Sequence, residues 1–263
     1  MQILIPMTGE GSRFRRAGFD RLKPMIKVHG APMVEWVTRL FPGADREITF
    51  ICQGAHLAGL DYLRPELERI APHGRILEIA DWSKCGPVCD ILRVKDQIAD
   101  DEPVIVSYCD YFMQWDYHAF RNELRQRGCA GAVPCYSGFH PHLLPRNNLY
   151  ASCKVDDDDM LVEIREKFSW TEDRTLSRHS PGLYYFSSGA VMKDYAQRLV
   201  DSGEAINGEY YVSLVFNAMV RDGLDVWCPV NVSKFCQWGT PEDLAEYNHW
   251  TGMMQRERAG RAT

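Results

Sequence analysis

A glycine-containing loop near the N-terminus is the part of the sequence that most directly suggests chemistry. The stretch ILIPMTGEGSR at 3–13 is a short apolar run followed by Gly9, Gly11 and Arg13. Glycines let backbone N–H groups approach phosphate oxygens closely, and an arginine beside them can bind phosphate through two parallel hydrogen bonds. Residues 13–27 add six basic side chains against one acid. The loop suggests a polyanionic ligand such as a triphosphate, although glycines at this spacing are also common in ordinary solvated turns.

The composition limits the classes of protein to which the chain can belong. It has 263 residues, with 30 Lys and Arg against 36 Asp and Glu, and its net charge is −6. This balance argues against binding to nucleic acid or to an acidic membrane surface. The sequence has no apolar run of the length that a membrane-spanning helix needs. The first residues predict a strand and not a signal peptide, because no basic segment precedes them.

The nine cysteines are scattered, and most of them lie in apolar segments. No C-x-x-C motif occurs, and Cys85 and Cys89 have no second pair nearby. We expect reduced, buried thiols in a cytoplasmic protein, without a zinc site.

Strand and helix patterns alternate in the first half of the chain. Apolar runs predict strands at 3–5, 47–52, 75–79 and 103–109, and helical spacing predicts helices at 31–41, 57–70 with a break near Pro65, and 88–98. This alternation is typical of a parallel sheet with helices on both faces.

The pattern changes after residue 130. It predicts strands at 131–135, 182–186 and 225–230, a hairpin of 150–155 with 161–164 around an acidic turn, and helices at 192–200, 210–220 and 241–250. Residues 256–263 are polar and are expected to fray. The whole chain reads as one α/β domain whose second half is mixed.

The spacing of the motifs resembles that of the sugar-phosphate nucleotidyltransferase family. GEGSR at 9–13, KPM at 23–25 and GAPM at 30–33 follow the family order G-x-G-x-R, K-P-M/L and a helix opened by P-M or P-L. Further similar segments follow in order: KCGPV at 84–88, VIVSYCD at 104–110, VEIREK at 162–167, PGLYYF at 181–186, NGEYY at 207–211 and WGTPED at 238–243. Any single match carries little weight, whereas this ordered series over residues 1–250 is specific.

The resemblance implies a single Rossmann-like (GT-A-like) domain, with a mixed, mostly parallel sheet flanked by helices. It places the nucleotidyltransferase domain at 1–250, with a nucleotide-binding part at about 1–130 and an acceptor-binding part at about 131–250. Residues 251–263 would form a C-terminal tail. The reaction implied is transfer of NMP from an NTP to a phosphorylated small molecule, with release of pyrophosphate and with Mg²⁺ as the cofactor.

The resemblance also implies roles for individual residues. Arg13 and Lys23 would be catalytic, on the leaving pyrophosphate and on the reacting phosphates, and Asp110 would bind the metal. The nucleotide-binding residues would be Met7, Thr8, Gly9, Glu10, Gly11, Ser12, Lys84, Gly86 and Pro87. The acceptor-binding residues would be Tyr150, Glu166, Lys167, Gly182 and Glu209.

Several positions depart from the family pattern. Glu10 places an acid in a phosphate loop, and Phe168 replaces the proline that usually follows the E-K pair. Tyr150-Ala151 stands where the family often has Tyr-Gly, so we expect an altered acceptor pocket. Gln237 stands where the family often has a second metal-binding Asp, and an amide is a weaker Mg²⁺ ligand than a carboxylate.

Three functional interpretations stay open. The first is a nucleotidyltransferase that prefers CTP or UTP and supplies surface-polysaccharide (capsule) or nucleotide-sugar biosynthesis. Its acceptor is a sugar 1-phosphate or a non-sugar phosphate such as a phospho-polyol or a phosphocholine-like molecule. The second is a non-catalytic nucleotide-sugar-binding regulatory protein on the same fold. The third, a glycosyltransferase, is disfavoured because Asp110 has no D-x-D partner. The partners would be these small molecules, without nucleic acid or membrane, and a homo-oligomer stays open.

Overall fold

The structure, a computed structural model, describes residues 1–143, 148 and 150–261. Strands and helices alternate along these residues. The strands are β1 (Gln2–Pro6), β2 (Lys27–Val28), β3 (Ala31–Pro32), β4 (Ile48–Gln53), β5 (Arg75–Ile79), β6 (Val104–Ser107), β7 (Tyr111–Gln114), β8 (Gly131–Ala132), β9 (Ser152–Val155), β10 (Leu161–Arg165), β11 (Arg178–His179), β12 (Leu183–Phe186), β13 (Val226–Trp227) and β14 (Lys234–Gln237). The helices are α1 (Ser12–Arg16), α2 (Met33–Thr38), α3 (Gly54–Gly59), α4 (Leu63–Ile70), α5 (Pro87–Arg93), α6 (Tyr117–Arg127), α7 (Gly189–Ser202), α8 (Val212–Arg221) and α9 (Pro241–Arg261).

A seven-stranded sheet organises this part of the chain, in the order β13-β8-β12-β6-β1-β4-β5. Strands β6, β1, β4 and β5 are parallel neighbours, as are β13 and β8, whereas β12 runs antiparallel to both β6 and β8. The sheet is therefore mixed and mostly parallel, with helices packed against it. The α/β fold class predicted from the sequence is confirmed.

The central strands are apolar because both faces of the sheet are covered. Ile3 and Ile5 of β1 pack into the core on one face, and Leu4 packs into the core on the other. All three side chains are buried. This is the pattern expected for a central parallel strand, where successive side chains point to opposite faces.

The carboxyl ends of β1 and β6 lie side by side, since these strands are parallel neighbours. They lead into the glycine loop at 7–11 and into the segment that carries Asp110. The late strand β14 pairs antiparallel with β7, which places Gln237 opposite Tyr111. The backbone N–H of Trp238 then donates to the Asp110 carbonyl at 3.0 Å. Ligands of open α/β sheets bind at such strand ends.

Two local expectations were wrong. The predicted break near Pro65 lies between α3 and α4, and Pro65 is the third residue of α4, where its missing N–H removes no intrahelical hydrogen bond. The last helix does not end near residue 250 but continues to Arg261. Residues 262 and 263 of the predicted tail lie outside the described residues.

No helix in the described part of the chain has both the length and the apolar character needed to cross a membrane.

The expectation that every cysteine is reduced was also wrong. Cys85 and Cys89 form a disulfide, with their Cα atoms 5.8 Å apart. Cys85 lies two residues before α5 and Cys89 is the third residue of that helix, so the disulfide spans the turn at Gly86, whose φ is 97°. The other seven cysteines, all in the described part of the chain, are free, and six of them are buried.

Candidate active site

The glycine loop is shaped by close packing against the segment that follows it. Gly11 adopts a left-handed conformation with φ of 61°, which favours glycine. A Cβ atom at this position would lie 3.0 Å from the Cβ atom of Lys23. Met7 and Thr8 are buried below the loop, whereas Gly9 and Glu10 are exposed. The carboxylate of Glu10 therefore does not have to be accommodated inside the protein.

A cavity of about 540 Å³, which we call the loop cavity, opens over this segment. All nine residues predicted to bind the nucleotide line it: Met7, Thr8, Gly9, Glu10, Gly11, Ser12, Lys84, Gly86 and Pro87. The structure thus brings together two segments that are more than 70 residues apart in the sequence.

The far wall of the loop cavity is built around Gly86. Its backbone, with φ of 97° and ψ of 170°, lies in a region that is nearly restricted to glycine. A Cβ atom there would lie 2.6 Å from the backbone nitrogen of Tyr210. Tyr210 also donates its N–H to the Cys85 carbonyl at 2.8 Å. The chain segment before α8 therefore fixes the position of this wall.

Asp90 is a buried carboxylate behind the same wall, and sequence reasoning did not identify it. It accepts hydrogen bonds from Thr8 Oγ1 at 2.5 Å and from Trp82 Nε1 at 3.0 Å, and Arg93 lies 3.3 Å away. Burial raises its pKa, although these hydrogen bonds oppose the shift. Asp90 ties the glycine loop to Trp82, whose ring also lines the loop cavity.

A second cavity of about 260 Å³, the inner cavity, continues beneath the first. Four of the residues predicted to bind the acceptor line it: Tyr150, Glu166, Lys167 and Gly182. The fifth, Glu209, lines the loop cavity and forms an ion pair of 2.8 Å with the exposed Lys84. The structure therefore places Glu209 beside the predicted nucleotide-binding residues.

Glu166 lies at the end of β10 and accepts a hydrogen bond from the hydroxyl group of Ser213. Burial raises the pKa of its carboxyl group to about 7. Lys167 follows with a left-handed φ of 55°, which is unusual for a residue with a side chain. Its backbone N–H donates to the Tyr150 carbonyl at 2.9 Å, and its ammonium group lies 5.7 Å from the centre of the Tyr211 ring.

The two cavities share one wall, and the predicted reactive residues belong to it. Six residues line both cavities: Arg13, Lys23, Tyr108, Asp110, Tyr211 and Gly239. The ammonium group of Lys23 contacts the carboxylate of Asp110 at 2.5 Å and the Gly239 carbonyl at 3.0 Å. Both charged side chains are largely withdrawn from solvent, with 18% and 24% of their surface exposed. The ion pair therefore lies where ligands in the two cavities would meet.

Oxygen donors surround this junction. A Cβ atom on Gly239 would lie 3.8 Å from Asp110 Oδ2 and 3.7 Å from Asp243 Oδ2. Asp243 accepts hydrogen bonds from the Thr240 N–H at 3.0 Å and from Gln237 Nε2 at 2.7 Å, and burial raises its pKa. Gln237 Oε1 is buried and has no hydrogen-bond partner among the described residues. Two carboxylates and an amide oxygen are a donor set that suits a hard cation such as Mg²⁺.

Asp243 was missed as a site residue, although it belongs to the WGTPED segment that the sequence comparison singled out. The sequence signal was Gln237, which stands where the family often has a second metal-binding Asp and so raises the question of which other carboxylate lies nearby. Only the hydrogen bond between the two side chains shows that a carboxylate six residues later occupies this region.

Comparison with known proteins bears on this site. Residues 3–167 match the family model of the MobA-like NTP transferase domain. Among solved structures, a nucleoside-diphosphate-sugar pyrophosphorylase from Vibrio cholerae RC9 superposes with a TM-score of 0.75, covering 94% of this chain and 99% of that chain at 18% identity. A UDP-glucose pyrophosphorylase complexed with UDP-glucose gives a TM-score of 0.71, covering 96% and 98% at 13% identity. At these identities the two structures show a shared fold. No curated protein sequence gave a significant match.

Proposed function

The chain belongs to the family of MobA-like NTP transferase domains, and from this premise we propose that it transfers NMP from an NTP to a phosphorylated small molecule, with release of pyrophosphate. One observation carries the proposal. The loop cavity and the inner cavity meet at Arg13, Lys23 and Asp110, so two anionic ligands placed in them would have their phosphates at the same cluster of charges.

The proposed reaction needs alignment and charge stabilisation more than covalent chemistry. A phosphate oxygen of the acceptor attacks the α-phosphorus of the NTP, an O–P bond forms, and the bond from the α-phosphorus to the bridging oxygen breaks. Pyrophosphate leaves with that oxygen. Because both reactants are anions, cations must offset their repulsion and the charge that develops on the α-phosphoryl group. Lys23 would bind the α-phosphate and Arg13 the departing pyrophosphate.

We propose that Mg²⁺ assists and that Asp110 binds it, with Asp243 and the amide oxygen of Gln237 as further donors. The unpartnered Gln237 Oε1 and the two carboxylates near one point support this assignment. When bound, the ion would supply positive charge to the phosphates. Lys23, which contacts Asp110 directly, would then be free to follow the reacting phosphate.

The inner cavity would hold the acceptor. Lys167 would bind its phosphate, and Glu166 would bind a hydroxyl or amine group on its body. Both a sugar 1-phosphate and a non-sugar phosphate fit these roles, and we favour CTP or UTP as the nucleotide. The product would serve surface-polysaccharide or nucleotide-sugar biosynthesis in the cytoplasm. We also propose the division into a nucleotide-binding part at about 1–130 and an acceptor-binding part at about 131–250. Glu209 is an exception, because it belongs to the second part but lines the loop cavity.

Pyrophosphate release tests this function. The full-length protein is incubated with each of the four common NTPs and Mg²⁺, with and without a panel of sugar 1-phosphates, polyol phosphates and phosphocholine. The proposal expects release that requires an acceptor and that stops in excess EDTA. Tight NTP binding without turnover with any acceptor would instead support a regulatory, non-catalytic protein. Absence of both binding and turnover would contradict the proposal altogether.

A further inference from the structure

Three thiols lie together inside the protein, and none of them lines either cavity. Cys135, Cys153 and Cys228 are buried, with exposed fractions of 0%, 4% and 0%. Their sulfur atoms all lie within 4.8 Å of one another, and the sulfur atoms of Cys135 and Cys153 are 3.8 Å apart. We call these three residues the thiol cluster. The candidate site residues do not include them, so the proposed reaction does not explain why they meet.

The cluster joins two parts of the fold. Cys135 follows β8 and Cys228 follows β13, at the edge of the central sheet, and Cys153 belongs to β9 of the small sheet β10-β9-β11. Backbone hydrogen bonds fix two of these positions. The Cys135 N–H donates to the Pro229 carbonyl and the Cys228 N–H to the Asp159 carbonyl, both at 2.8 Å. Backbone pairing therefore fixes all three cysteines, Cys153 within β9 and the other two through these hydrogen bonds.

We propose that the thiol cluster is a binding site for a thiophilic metal ion, Zn²⁺ or Cu⁺. Thiolates prefer soft and borderline ions of this kind over Mg²⁺ or Ca²⁺. A metal–sulfur bond of about 2.3 Å puts neighbouring sulfur ligands about 3.8–4.0 Å apart, for tetrahedral or trigonal geometry. The 3.8 Å between the Cys135 and Cys153 sulfur atoms already fits that geometry, and the other two separations, at most 4.8 Å, need movements of no more than about 1 Å. On binding, each thiol releases its proton to solvent, and the resulting thiolate forms a bond to the metal ion.

The surroundings fit a thiolate site with three protein ligands. Arg178 is paired directly with Cys153 across β11 and β9, so both side chains emerge on the same face. Its guanidinium group donates to the Cys228 carbonyl at 2.8 Å and forms an ion pair of 2.6 Å with Asp159, so a cation and its carboxylate partner lie beside the cluster. The next residue, His179, emerges on the opposite face, where its ring packs near that of Tyr136. Among the described residues, no histidine or carboxylate joins the three sulfur atoms within the same distance.

A metal there would fix the small sheet to the central sheet. That matters for the fold because β10 of the small sheet ends at Arg165, immediately before Glu166 and Lys167. The inference does not rest on the proposed function, since it concerns metal binding and stability alone.

Metal retention by the full-length protein tests the proposal. The reduced protein is exposed under argon to Zn²⁺ or to Cu⁺, passed through a desalting column with a weak competing chelator, and analysed for bound metal. We expect wild type to retain one ion per chain and Cys153→Ser to lose it. Two control variants should retain the ion: Cys129→Ser, a buried cysteine outside the cluster, and Cys89→Ser, which removes one thiol of the disulfide pair.

The outcomes are distinct. If wild type and both controls retain only one of the two ions, and Cys153→Ser loses it, the proposal is supported and the ion is identified. If wild type retains neither ion, or if Cys153→Ser retains as much as wild type, the proposal is wrong. Should Cys153→Ser fail to fold, the melting temperature of Cys89→Ser with and without the ion decides the question. An ion that binds the folded cluster more tightly than it binds the thiols of the unfolded chain raises that temperature, and no rise contradicts the proposal.

Discussion

Lys23 is the residue on which the proposed chemistry depends most. Its ammonium group lies at the wall shared by the two cavities and contacts Asp110 and Gly239. We expect Lys23→Ala to lower turnover by about 10²–10³, because a charge-assisted contact at a reacting phosphate contributes roughly 3–4 kcal/mol to the transition state. Steady-state pyrophosphate release measures the effect. Lys27→Ala, an exposed lysine four residues later, should leave turnover unchanged. A loss below about fivefold for Lys23→Ala would remove this residue from the reaction centre.

Trp82 is expected to provide a stacking surface for the nucleobase, with Asp90 holding the indole through its Nε1–H. Base stacking on an aromatic ring is worth about 1–3 kcal/mol, so Trp82→Ala should weaken NTP binding by roughly tenfold to a hundredfold. Trp82→Phe should restore most of the affinity. Calorimetric titration with NTP and with inorganic tripolyphosphate separates base from phosphate contacts, because only the NTP affinity should change. Equal NTP affinity in Trp82→Ala and wild type would show that the ring does not contact the base.

Glu166 is expected to make stability depend on pH. Burial raises the pKa of this carboxyl group from 4.5 to about 7, so below about pH 4.5 both the folded and the unfolded protein hold the proton. As pH rises towards 7 the unfolded chain releases it first, and the free energy of unfolding falls. Glu166→Gln cannot titrate. Urea unfolding at about pH 5 and about pH 8 should therefore show the variant gaining stability relative to wild type at the higher pH. An unchanged difference at the two pH values, as expected for the exposed Glu172→Gln, would contradict this assignment.

At the scale of elements, the start of α5 is expected to tolerate no side chain at Gly86. Alanine there would be strained by about 1–3 kcal/mol, and its Cβ atom would also meet the Tyr210 backbone at 2.6 Å. Gly128, the C-cap of α6, is a matched control, since its φ is 65° but nothing lies within 4 Å of a Cβ atom. Gly128→Ala should cost about 1 kcal/mol and leave NTP binding intact. Gly86→Ala should cost more and also weaken NTP binding, which denaturation and calorimetry can measure. Equal effects of the two substitutions would mean that the wall of the loop cavity is not fixed by this contact.

Some elements could be predicted because their residues carry local signals. The apolar run before the glycine loop predicts β1, and the run VIVS predicts β6, so the strand ends that carry Gly9 and Asp110 follow directly. Strands β7 and β14 could not be predicted in this way. Each has only four residues, and the pair forms because residues 120 or more positions apart meet. The tertiary pairing, and not local propensity, decides such strands.

At the scale of the whole molecule, the sequence located the two groups of ligand-binding candidates but not how they meet. The motifs carrying Gly9, Gly86, Glu166 and Lys167 could be found because their order along the chain resembles that of the nucleotidyltransferase family. Asp90 and Asp243 could not, because their environment depends on hydrogen bonds from distant segments: Thr8 and Trp82 contact one, and the turn after β14 holds the other. The same holds for the thiol cluster, whose members lie 18 and 75 residues apart and match no metal-binding spacing.

The most direct test of the two-site arrangement uses Lys167, which lines the inner cavity and not the loop cavity. We predict that Lys167→Ala raises the acceptor KM or lowers kcat by about tenfold or more, because it removes a charged partner of the acceptor phosphate. The Kd for NTP·Mg²⁺, measured by calorimetry, should change by less than about threefold, since independent contacts contribute nearly separately. Lys154→Ala, an exposed lysine on β9, should alter neither quantity. If NTP binding collapses in Lys167→Ala while the acceptor parameters stay at their wild-type values, the inner cavity is not the acceptor site and the account is wrong.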